Sequence, residues 1–586
     1  MSDTVHDNPI VNPTGKVPVG VSDFAKLRQD DYCFVDKTLF IKEFLDIGAE
    51  VTLITRPRRF GKTINLDMLC RFLREPASGK EDLFEGLAIS KAGQKYQQER
   101  GKRPVLFISL RAVKQDNWDD AFWKLRNLLA ELVEETWKDA PVDQLSSGQQ
   151  RVLQRVIQEQ AAPVECEKTL LILTKLLTLK HNGLAPWVAI DEYDAPMQAA
   201  YQHNYYKQMR NLMKGLLGDC LKDGRFLHQA VLTGILRVAK EDIFSDLNNP
   251  GIYGVLEQPY SSWFGFTEHE VKQLLQQREH SQRLELVRQA YNGYRFGTDQ
   301  PLMIYNPWSV INDLCTPTAQ PGLHWVNTSD NYLIHQLLTR ANTDTKKGLH
   351  ELLSPNTNYS TTQLVKEHIP LRFLENDSAH LWGLLLASGY VTAATHQKKP
   401  GSLEHVVQLR IPNQEVMCVY NDLLRRWLTS GTGINATALV EVLVKGEIEE
   451  FAEEFQEFVL ESASYFDTGG KQPERFYHAF ILGMLQHLRD RYMIESEQIS
   501  GLGRYDLALE PKDKTQLGFV FEFKRALRVE NSLQASAQKA LQQIQDLHYH
   551  TNLFKRGVRR VIALGMGFRG KQVAVAHTEL TQTAGT

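Results

Sequence analysis

Short apolar runs alternate with helical patterns through the first half of the chain. The runs are VTLIT (51–55), VLFISL (105–110), WVAID (187–191) and FLHQAVLTG (226–234). Uninterrupted apolar runs of this length are typical of strands buried on both faces. Between them, INLDMLCRFL (64–73) has apolar residues at helical spacing, and a long helical pattern extends over about 118–181. The alternation predicts a parallel sheet covered by helices, with a ligand at the carboxyl ends of the strands.

The pattern changes after about residue 300. Helical stretches precede the strand-like runs YVTAAT (390–395) and VVQLRIP (406–412), which a basic, glycine-containing connection joins. Helices followed by such a two-stranded wing predict a winged-helix module that touches duplex DNA. A packing domain that only transmits motion is an equally good interpretation.

The last segment predicts a second α/β region. An amphipathic helix over 473–492 precedes strands in GRYDLALEP (503–511) and GFVFEFKRA (518–526). We therefore predict an α/β protein with four parts. They are a disordered tail (1–16), a parallel-sheet domain (17–300), a helical, winged-helix-like middle domain (301–430) and a C-terminal α/β domain (431–586).

Length and composition set limits on the class of protein. At 586 residues the chain exceeds what one hydrophobic core usually organises, and 42% hydrophobic with 23% charged residues is typical of soluble globular proteins. With a net charge of −3, any contact with nucleic acid must come from a local basic patch. The six cysteines lie singly, and no signal-peptide region or membrane-spanning run is evident. We expect a cytoplasmic protein with reduced, buried cysteines.

The stretch RPRRFGKT (56–63) is a candidate phosphate-binding loop between a buried strand and a helix. A helix N-terminus offers unpaired N–H groups and the positive end of the helix dipole. Lys62 would reach the terminal phosphates, and the Thr63 hydroxyl would bind Mg²⁺. Arg56 and Arg59 are further candidates for nucleotide binding. Because Arg56 occupies the place of the usual first glycine, an ordinary strand-to-helix turn is the alternative.

The strand ending in Asp191 and Glu192 supplies the expected second motif. Asp191 would orient the magnesium shell and Glu192 would polarise the attacking water, with Asp194 as a third carboxylate at the same strand tip. The alternative is a strand that ends in a solvated acidic turn. Thr233, at the tip of the next strand, could sense the terminal phosphate. Arg237 could neutralise charge on the transferred phosphoryl group, or could be a simple surface arginine.

A second candidate site lies in the last segment. The alternating phenylalanines of GFVFEFKRA pack inward, so Glu522 and Lys524 project together from the opposite face. If Asp506 lies on the neighbouring strand, two carboxylates and an ammonium converge. Asp506, Glu522 and the backbone carbonyl of Phe523 would bind Mg²⁺, and Lys524 would orient or activate water.

Two residues outside these strands are further candidates. Glu474, on the preceding helix, would complete the metal shell through a water, and Gln543 would face the same edge. An ordinary strand with an exposed Glu-x-Lys pair is the alternative. The upstream Asp506 and the alternation of phenylalanines favour a site.

Taken together, these motifs resemble a family of prokaryotic proteins that join an AAA-ATPase-like domain to a C-terminal PD-(D/E)XK nuclease domain. The resemblance covers nearly the entire chain. It is carried by FAKLRQDDYCFVDKT, RPRRFGKT, IDEYDAP, LTGILRVAKEDIFSDLNN, FGFTEHEV, YNGYRFG and YNPWS, and then by FYHAFILGML, GRYDLALEP, FEFKRA and ALQQI. In that family the loop is typically RPRRFGK, so Arg56 is not an anomaly.

The resemblance implies nucleotide binding at Gly61, Lys62 and Thr63, with ATP and Mg²⁺ as cofactors and Mn²⁺ as an alternative to Mg²⁺ at the nuclease site. It also implies nucleic acid, expected to be DNA, as partner, an oligomer of identical subunits, and a role in defence against phage or mobile DNA. Two hypotheses follow. The first is an ATP-controlled, metal-dependent nuclease. The second is an ATP-driven switch or assembly protein whose nuclease-like domain only binds nucleic acid or a protein partner.

Overall fold

The computed structural model describes most of the chain. The described residues are 8–74, 82–222, 224–237, 250–318, 321–325, 334, 336–338, 341–353, 360–371, 374, 377–398, 404–420, 436–461, 481, 484–485, 488, 491–496, 499–500, 503–526, 532–570 and 572–582. They form two compact units. The first comprises Met1–Asn342 and Thr361–Val416, and the second comprises Thr343–Ser360 and Met417–Thr586.

The helices are labelled in chain order. They are α1 Phe24–Gln29, α2 Leu39–Ile47, α3 Lys62–Leu73, α4 Gln94–Gln97, α5 Trp118–Trp137, α6 Ser147–Ile157, α7 Pro163–Cys166, α8 Thr169–Lys180, α9 Ala195–Gln202, α10 Tyr206–Lys222, α11 Glu268–Gln277, α12 Leu284–Tyr291, α13 Pro307–Cys315, α14 Thr343–Leu352, α15 Ser378–Ser388, α16 Ala436–Lys445, α17 Ile448–Glu461, α18 Leu533–Asp546 and α19 Thr551–Lys555. Short 3₁₀ helices lie at Ala88–Lys91, Val142–Gln144 and Ser281–Arg283.

The strands are labelled in the same way. They are β1 Ile10–Val11, β2 Phe34–Val35, β3 Val51–Thr55, β4 Val105–Ser109, β5 Trp187–Asp191, β6 Gln229–Gly234, β7 Gly251–Tyr253, β8 Phe266–Thr267, β9 Tyr294–Phe296, β10 Leu302–Tyr305, β11 Ser360–Lys366, β12 Thr392–Lys398, β13 Glu404–Arg410, β14 Tyr492–Ser496, β15 Ile499–Ser500, β16 Gly503–Arg504, β17 Leu507–Pro511, β18 Gly518–Arg525, β19 Arg560–Arg569 and β20 Gln572–Thr581.

The first unit is built on a parallel sheet. Its strands run in the order β4-β5-β6-β3-β7, and each strand is parallel to its neighbours. Strands β3 and β5 are buried along their whole length, as expected for strands covered by helices on both faces. The carboxyl ends of β3, β4, β5 and β6 therefore meet at one edge, and the predicted α/β class is confirmed.

The long helical pattern after β4 is divided by prolines. Helix α5 ends before Pro141, and Pro163 begins α7. Side-chain caps mark two of the helix starts, since Asn117 accepts from the Asp120 N–H and Ser146 forms a capping box with Gln149. Proline cannot continue a helix because it lacks the N–H that the ladder needs.

Residues 8–16, which belong to the predicted disordered tail, are described in the structure and include strand β1. Strand β1 pairs antiparallel with β2, with Ile10 opposite Val35. Asn8 is buried and donates to Glu270 Oε1 at 2.6 Å. Although the segment is mostly polar and contains glycine, its two apolar residues Ile10 and Val11 form a strand that pairs with β2.

The predicted middle domain 301–430 does not form a unit of its own. Its described residues up to Asn342 and those in Thr361–Val416 cluster with the first unit, whereas those in Thr343–Ser360 and from Met417 onward cluster with the second. The Arg295 N–H of β9 donates to Thr392 Oγ1 at 2.8 Å, and Ser309 donates to Glu415 Oε2 at 2.7 Å. The predicted hairpin is present as antiparallel β12 and β13, with an irregularity between Ala393 and Thr395. A winged-helix function for it stays a prediction.

The second unit contains a mixed sheet in the order β14-β17-β18-β19-β20. Within this sheet β18 and β19 pair in parallel, and the other neighbouring strands are antiparallel. One face of the sheet buries the predicted phenylalanines of β18 in a core that also contains Met484 and Leu488. Helix α18 packs on the other face, where Gly565 and Gly567 leave room because a Cβ at either would collide with its backbone.

Two further expectations can be compared with the structure. Within the part of the chain that the structure describes, no helix is both long and apolar enough to cross a membrane. Four cysteines are buried as expected, but Cys315 is exposed and Cys418 is half-buried.

Candidate active sites

The candidate phosphate-binding loop connects β3 to α3 as predicted. Gly61, the residue before the helix, has a left-handed backbone with φ of 81°, a region in which residues with a Cβ are strained. Arg59 also has a positive φ, of 68°. The loop therefore delivers Lys62 and Thr63 to the first turn of α3, at the helix N-terminus that favours anions.

Arg56 is bonded within the protein, and its role as a nucleotide ligand stays a prediction. Its side chain is fully buried and does not line the cavity beside the loop. The guanidinium donates to the carbonyls of Thr55 at 2.8 Å, Tyr253 at 2.9 Å and Gly254 at 2.6 Å. It also lies near the rings of Phe264 and Phe296. Arg56 thus joins the start of the loop to the segment after β7.

Lys62 is buried beneath the same loop. Its ammonium donates to the carbonyls of Arg56 at 3.1 Å and Pro57 at 2.9 Å. Burial lowers the pKa of Lys62, while the nearby carboxylates of Glu192, Asp194 and Asp191 oppose that shift. The ammonium is therefore held by the loop that would surround a phosphate.

Asp191 is the centre of a hydrogen-bond network at the sheet edge. It accepts from the hydroxyls of Thr63 at 3.0 Å and Thr233 at 2.7 Å, and from Ser109 at 3.4 Å. Burial raises the pKa of Asp191, and the bond from Thr233 opposes this. Sequence reasoning missed Ser109, although it ends the run VLFISL. A hydroxyl and a carboxylate are hard oxygen donors, so Thr63 and Asp191 fit a Mg²⁺ ion.

Glu192 and Asp194 have different surroundings. Glu192 lies at the cavity with a positive φ of 49°, and its Oε2 is 3.9 Å from Lys114 Nζ. Asp194 is almost completely buried and accepts from the N–H groups of Ile235 at 3.0 Å and Leu236 at 2.7 Å. Asp194 therefore anchors the segment after β6, although it also borders the cavity.

Thr233 was predicted to sense the terminal phosphate and Arg237 to neutralise charge on the transferred phosphoryl group. In the structure both side chains contact other groups of the protein. The Thr233 hydroxyl donates to Asp191, as described above. Arg237 forms ion pairs with Glu257 at 3.4 Å and Glu367 at 3.2 Å, and it is not among the residues that line the cavity. Burial and the neighbouring Glu257 raise the pKa of Glu367 to about 7. The sequence could not show this, because Glu367 lies far along the chain.

A large cavity adjoins the loop within the first unit. Its volume is about 980 Å³, and around the loop it is lined by the cationic side chains of Arg58, Arg59, Lys62, Arg111 and Lys114. The Arg59 guanidinium lies 4.2 Å from the ring centre of Trp308. A cavity of this size, with cations at one end and apolar side chains such as Ile64 and Met68 elsewhere, fits a polyphosphate joined to a planar base.

The second site follows from the pairing of β17 with β18. Leu507 lies opposite Phe521, so continuing the antiparallel register brings Asp506 opposite Glu522. Asp506 Oδ2 accepts from the Phe523 N–H at 2.7 Å. The predicted convergence of Asp506 with the Glu522 and Lys524 segment is therefore present.

Gln543 of α18 joins the charged pair on this face. Its amide donates to Glu522 Oε1 at 2.5 Å, and its amide oxygen accepts from Lys524 Nζ. Lys524 Nζ and Glu522 Oε1 are 3.8 Å apart. Gln543 also donates to the Tyr549 hydroxyl at 3.0 Å, a contact that sequence reasoning missed. An aromatic residue close after Gln543 in the chain was the available signal.

The oxygen donors of this site suit a hard cation. Asp506 and Glu522 offer carboxylates and Phe523 a carbonyl, the donor type that Mg²⁺ and Mn²⁺ prefer. Among the described residues, no group of three His, Cys, Asp or Glu side chains is placed to hold a metal ion. Glu474, predicted to complete the shell, lies outside the described residues.

Two family models match the chain, and each matched range includes one of the two candidate sites. Residues 18–244 match the family model described as predicted AAA-ATPase, and residues 472–578 match that of the PD-(D/E)XK nuclease superfamily. The predicted resemblance is confirmed: a match to the first family model in the N-terminal part and a match to the second in the C-terminal part lie in one chain, in the expected order. It is also similar to a protein of Azotobacter chroococcum mcd 1 described as "uncharacterized protein in vnfD 5'region". The two are 27% identical over 421 residues, which cover 70% of each chain.

Proposed function

We propose that this protein hydrolyses ATP and that its nucleotide state controls metal-dependent cleavage of DNA by the C-terminal unit. The observation that carries the proposal is that one chain holds two separate sets of converged oxygen donors. One is centred on Asp191 at the sheet edge, and the other lies at Asp506 and Glu522.

The nucleotide half rests on the contacts around the loop. Lys62 would exchange its bonds to the Arg56 and Pro57 carbonyls for phosphate oxygens. Thr63 and Asp191 would hold Mg²⁺, which supplies positive charge to the β- and γ-phosphates when bound. Glu192, at the cavity, would orient the attacking water.

The nuclease half rests on the face shared by β18 and α18. Asp506, Glu522 and the Phe523 carbonyl would hold Mg²⁺ or Mn²⁺, which supplies charge to the scissile phosphate when bound. Lys524 would counter the negative charge that develops on that phosphate. Gln543 would position Lys524 and Glu522, since it contacts both.

Control of one half by the other is supported by the connectivity. The chain passes between the two units at 342/343, 360/361 and 416/417. A nucleotide-driven change in the first unit would therefore act on the second through several covalent connections. A role in defence against phage or mobile DNA is part of the proposal only through the family resemblance.

The test separates the two chemistries with paired variants. Glu192→Gln is expected to abolish ATP hydrolysis, and Lys524→Ala is expected to abolish DNA cleavage in Mg²⁺ while ATP hydrolysis continues. Both activities are measured on the full chain, with and without ATP, on duplex DNA, single-stranded DNA and RNA. Arg151→Ala, at an exposed position of α6 outside both sites, is the control and should leave both activities unchanged.

Three outcomes would contradict parts of the proposal. Cleavage that survives Lys524→Ala undiminished contradicts the nuclease site. Cleavage by wild type that is the same with and without ATP contradicts the control. Binding of nucleic acid without cleavage in Mg²⁺ or Mn²⁺ favours the switch or assembly protein instead.

A further inference from the structure

The cavity beside the phosphate loop contains cationic side chains that the loop itself does not supply. Arg111 and Lys114 follow β4, and both line the cavity together with Lys62 and Glu192. Neither has a role in the proposed function so far. Hydrolysis of a nucleoside triphosphate needs positive charge near the leaving and transferred phosphates, beyond that of the loop lysine and the metal.

The segment after β4 is tied to the acidic strand. Ser109 lies opposite Asp191 in the parallel register, and the Leu110 N–H donates to the Asp191 carbonyl at 2.9 Å. The Val113 N–H then donates to the Leu110 carbonyl at 3.1 Å, which turns the chain. This turn carries Arg111 and Lys114 at the carboxyl end of β4, beside the tip of β5.

Lys114 is close to the residue that would orient the attacking water. Its Nζ is 3.9 Å from Glu192 Oε2, and both side chains are partly exposed. A group that contacts the attacking water also lies near the γ-phosphate, since the water must approach that phosphorus in line. An ammonium at this distance from Glu192 is therefore placed to reach a γ-phosphate oxygen.

The charges around the loop repel one another. Burial is the main reason that the pKa values of Arg59 and Lys114 lie below their usual range, and repulsion from Arg111 adds to both. Five cations around the loop border the cavity, whereas three carboxylates, those of Asp116, Glu192 and Asp194, border it. An anion with several charges would relieve this repulsion.

Arg237, which the sequence suggested for this role, is engaged elsewhere. It pairs with Glu257 and Glu367 and does not line the cavity. We propose that Arg111 and Lys114 contact the γ-phosphate of ATP and stabilise the charge that develops during hydrolysis, so that each chain supplies its own catalytic cations. This inference rests on the proposed ATPase function and names further catalytic residues for it.

The first experiment measures steady-state ATP hydrolysis by the full chain and its variants. Arg111→Ala and Lys114→Met are each expected to lower kcat by about 10²-fold, and the double variant by about 10³-fold. The affinity for ADP with Mg²⁺, which lacks the γ-phosphate, should change less than about threefold. Both positions are exposed, so thermal unfolding should be unchanged, and Arg151→Ala on α6 is the matched control.

The second experiment asks which chain supplies the cations. Arg111→Ala retains the phosphate loop, whereas Lys62→Ala retains Arg111. If Arg111 acts on the nucleotide of its own chain, a mixture of the two variants stays as inactive as its components. Activity regained on mixing would show that a neighbouring chain supplies the residue and would overturn the inference.

The outcomes distinguish this inference from the proposed function. A wild-type chain that hydrolyses no ATP overturns the ATPase function and the inference with it. An active wild type whose double variant keeps its kcat overturns the inference alone. Equal losses in kcat and in ADP affinity would mean that the two residues only bind nucleotide, and would also overturn it.

Discussion

The proposed nucleotide site and the proposed nuclease site hold their charged groups in different ways. At the first, Lys62 is 6% exposed and Asp191 is completely buried, and both are bonded within the protein. At the second, the Lys524 side chain is 33% exposed and Asp506 is half-buried. A small ligand can be enclosed by a cavity, but a polymer must approach a surface. The difference in burial matches the difference between the proposed substrates.

The two sites also share a feature. In both, a lysine bonds to neutral oxygens of the protein, which are loop carbonyls for Lys62 and the Gln543 amide for Lys524. Burying an ammonium without such acceptors would be costly. Each lysine is thus kept satisfied by groups that a phosphate oxygen could replace.

The largest expected effect tests whether the sites are chemically independent. Asp506→Asn keeps the size of the side chain and an acceptor for the Phe523 N–H but removes the charge. We expect Mg²⁺-dependent cleavage to fall by about 10³-fold while ATP hydrolysis stays within about twofold. Asp513→Asn, at an exposed turn, is the control and should leave cleavage unchanged. An equal loss of both activities would break the comparison.

The next prediction concerns the frame of the closed site. Arg56→Gly would install the usual glycine of a phosphate loop but would leave the carbonyls of Tyr253 and Gly254 without their donor. We expect the free energy of unfolding of the first unit to fall by about 3 kcal/mol or more. Arg151→Gly, at an exposed position of α6, should lower the free energy of unfolding by only about 1 kcal/mol, because glycine has a low helix propensity. Denaturant unfolding measures both, and equal losses would contradict a structural role for Arg56.

A smaller effect is expected from the network around Asp191. Thr233→Val removes the hydroxyl that favours ionised Asp191, so the pKa of Asp191 should rise further above its ordinary value. Because the carboxylate form would be needed, the acid limb of kcat/KM for ATP hydrolysis should move to higher pH. At neutral pH we expect about a tenfold loss. Thr233→Ser should restore the profile, and a profile unchanged in Thr233→Val would argue against this role.

The smallest effect concerns the stability of the first unit. The pKa of Glu367 is about 7, raised by burial beside Glu257, with Arg237 and Lys398 opposing the shift and His405 nearby. Between the ordinary glutamate pKa and about pH 7, the folded chain holds a proton that the unfolded chain has released. The free energy of unfolding should therefore fall as the pH rises through this window.

Glu367→Gln should remove that dependence. We expect the free energy of unfolding of the first unit to be at least about 1 kcal/mol higher than in wild type at pH 8, since the neutral amide avoids ionising a buried carboxyl. Thermal scans at several pH values measure the difference. A pH dependence identical to that of wild type would contradict the raised pKa of Glu367.

Much of both sites could be predicted from local patterns. The strand before the loop, the acidic strand end and the alternating phenylalanines of β18 each lie within one short segment, so periodicity and turn chemistry show them. The position of Asp506 beside β18 was only a condition of the sequence hypothesis, and the antiparallel pairing of β17 with β18 meets it. Gln543 was predicted to face the edge that carries Glu522 and Lys524, and its contacts with both agree with that prediction.

Other parts could not be predicted because they depend on residues far apart in the chain. The buried guanidinium of Arg56 donates to the carbonyl of Gly254, and Arg237 forms an ion pair with Glu367. The order of the N-terminal segment depends on Glu270, which accepts from Asn8. Polarity suggested a solvated tail and a surface arginine, but burial of a polar group depends on whether tertiary partners satisfy it.

The sequence by itself determined the α/β class, the loop before α3, the acidic end of β5 and the charged face of β18. These features follow from side-chain periodicity and from the backbone chemistry of single segments. The tertiary structure alone decided which charges share a site. Arg56 and Arg237 do not line the cavity, whereas Arg111 and Lys114 do. The Ser109 hydroxyl donates to Asp191. Parallel strands place their carboxyl ends at a common edge, and only their order in the sheet determines which side chains meet there.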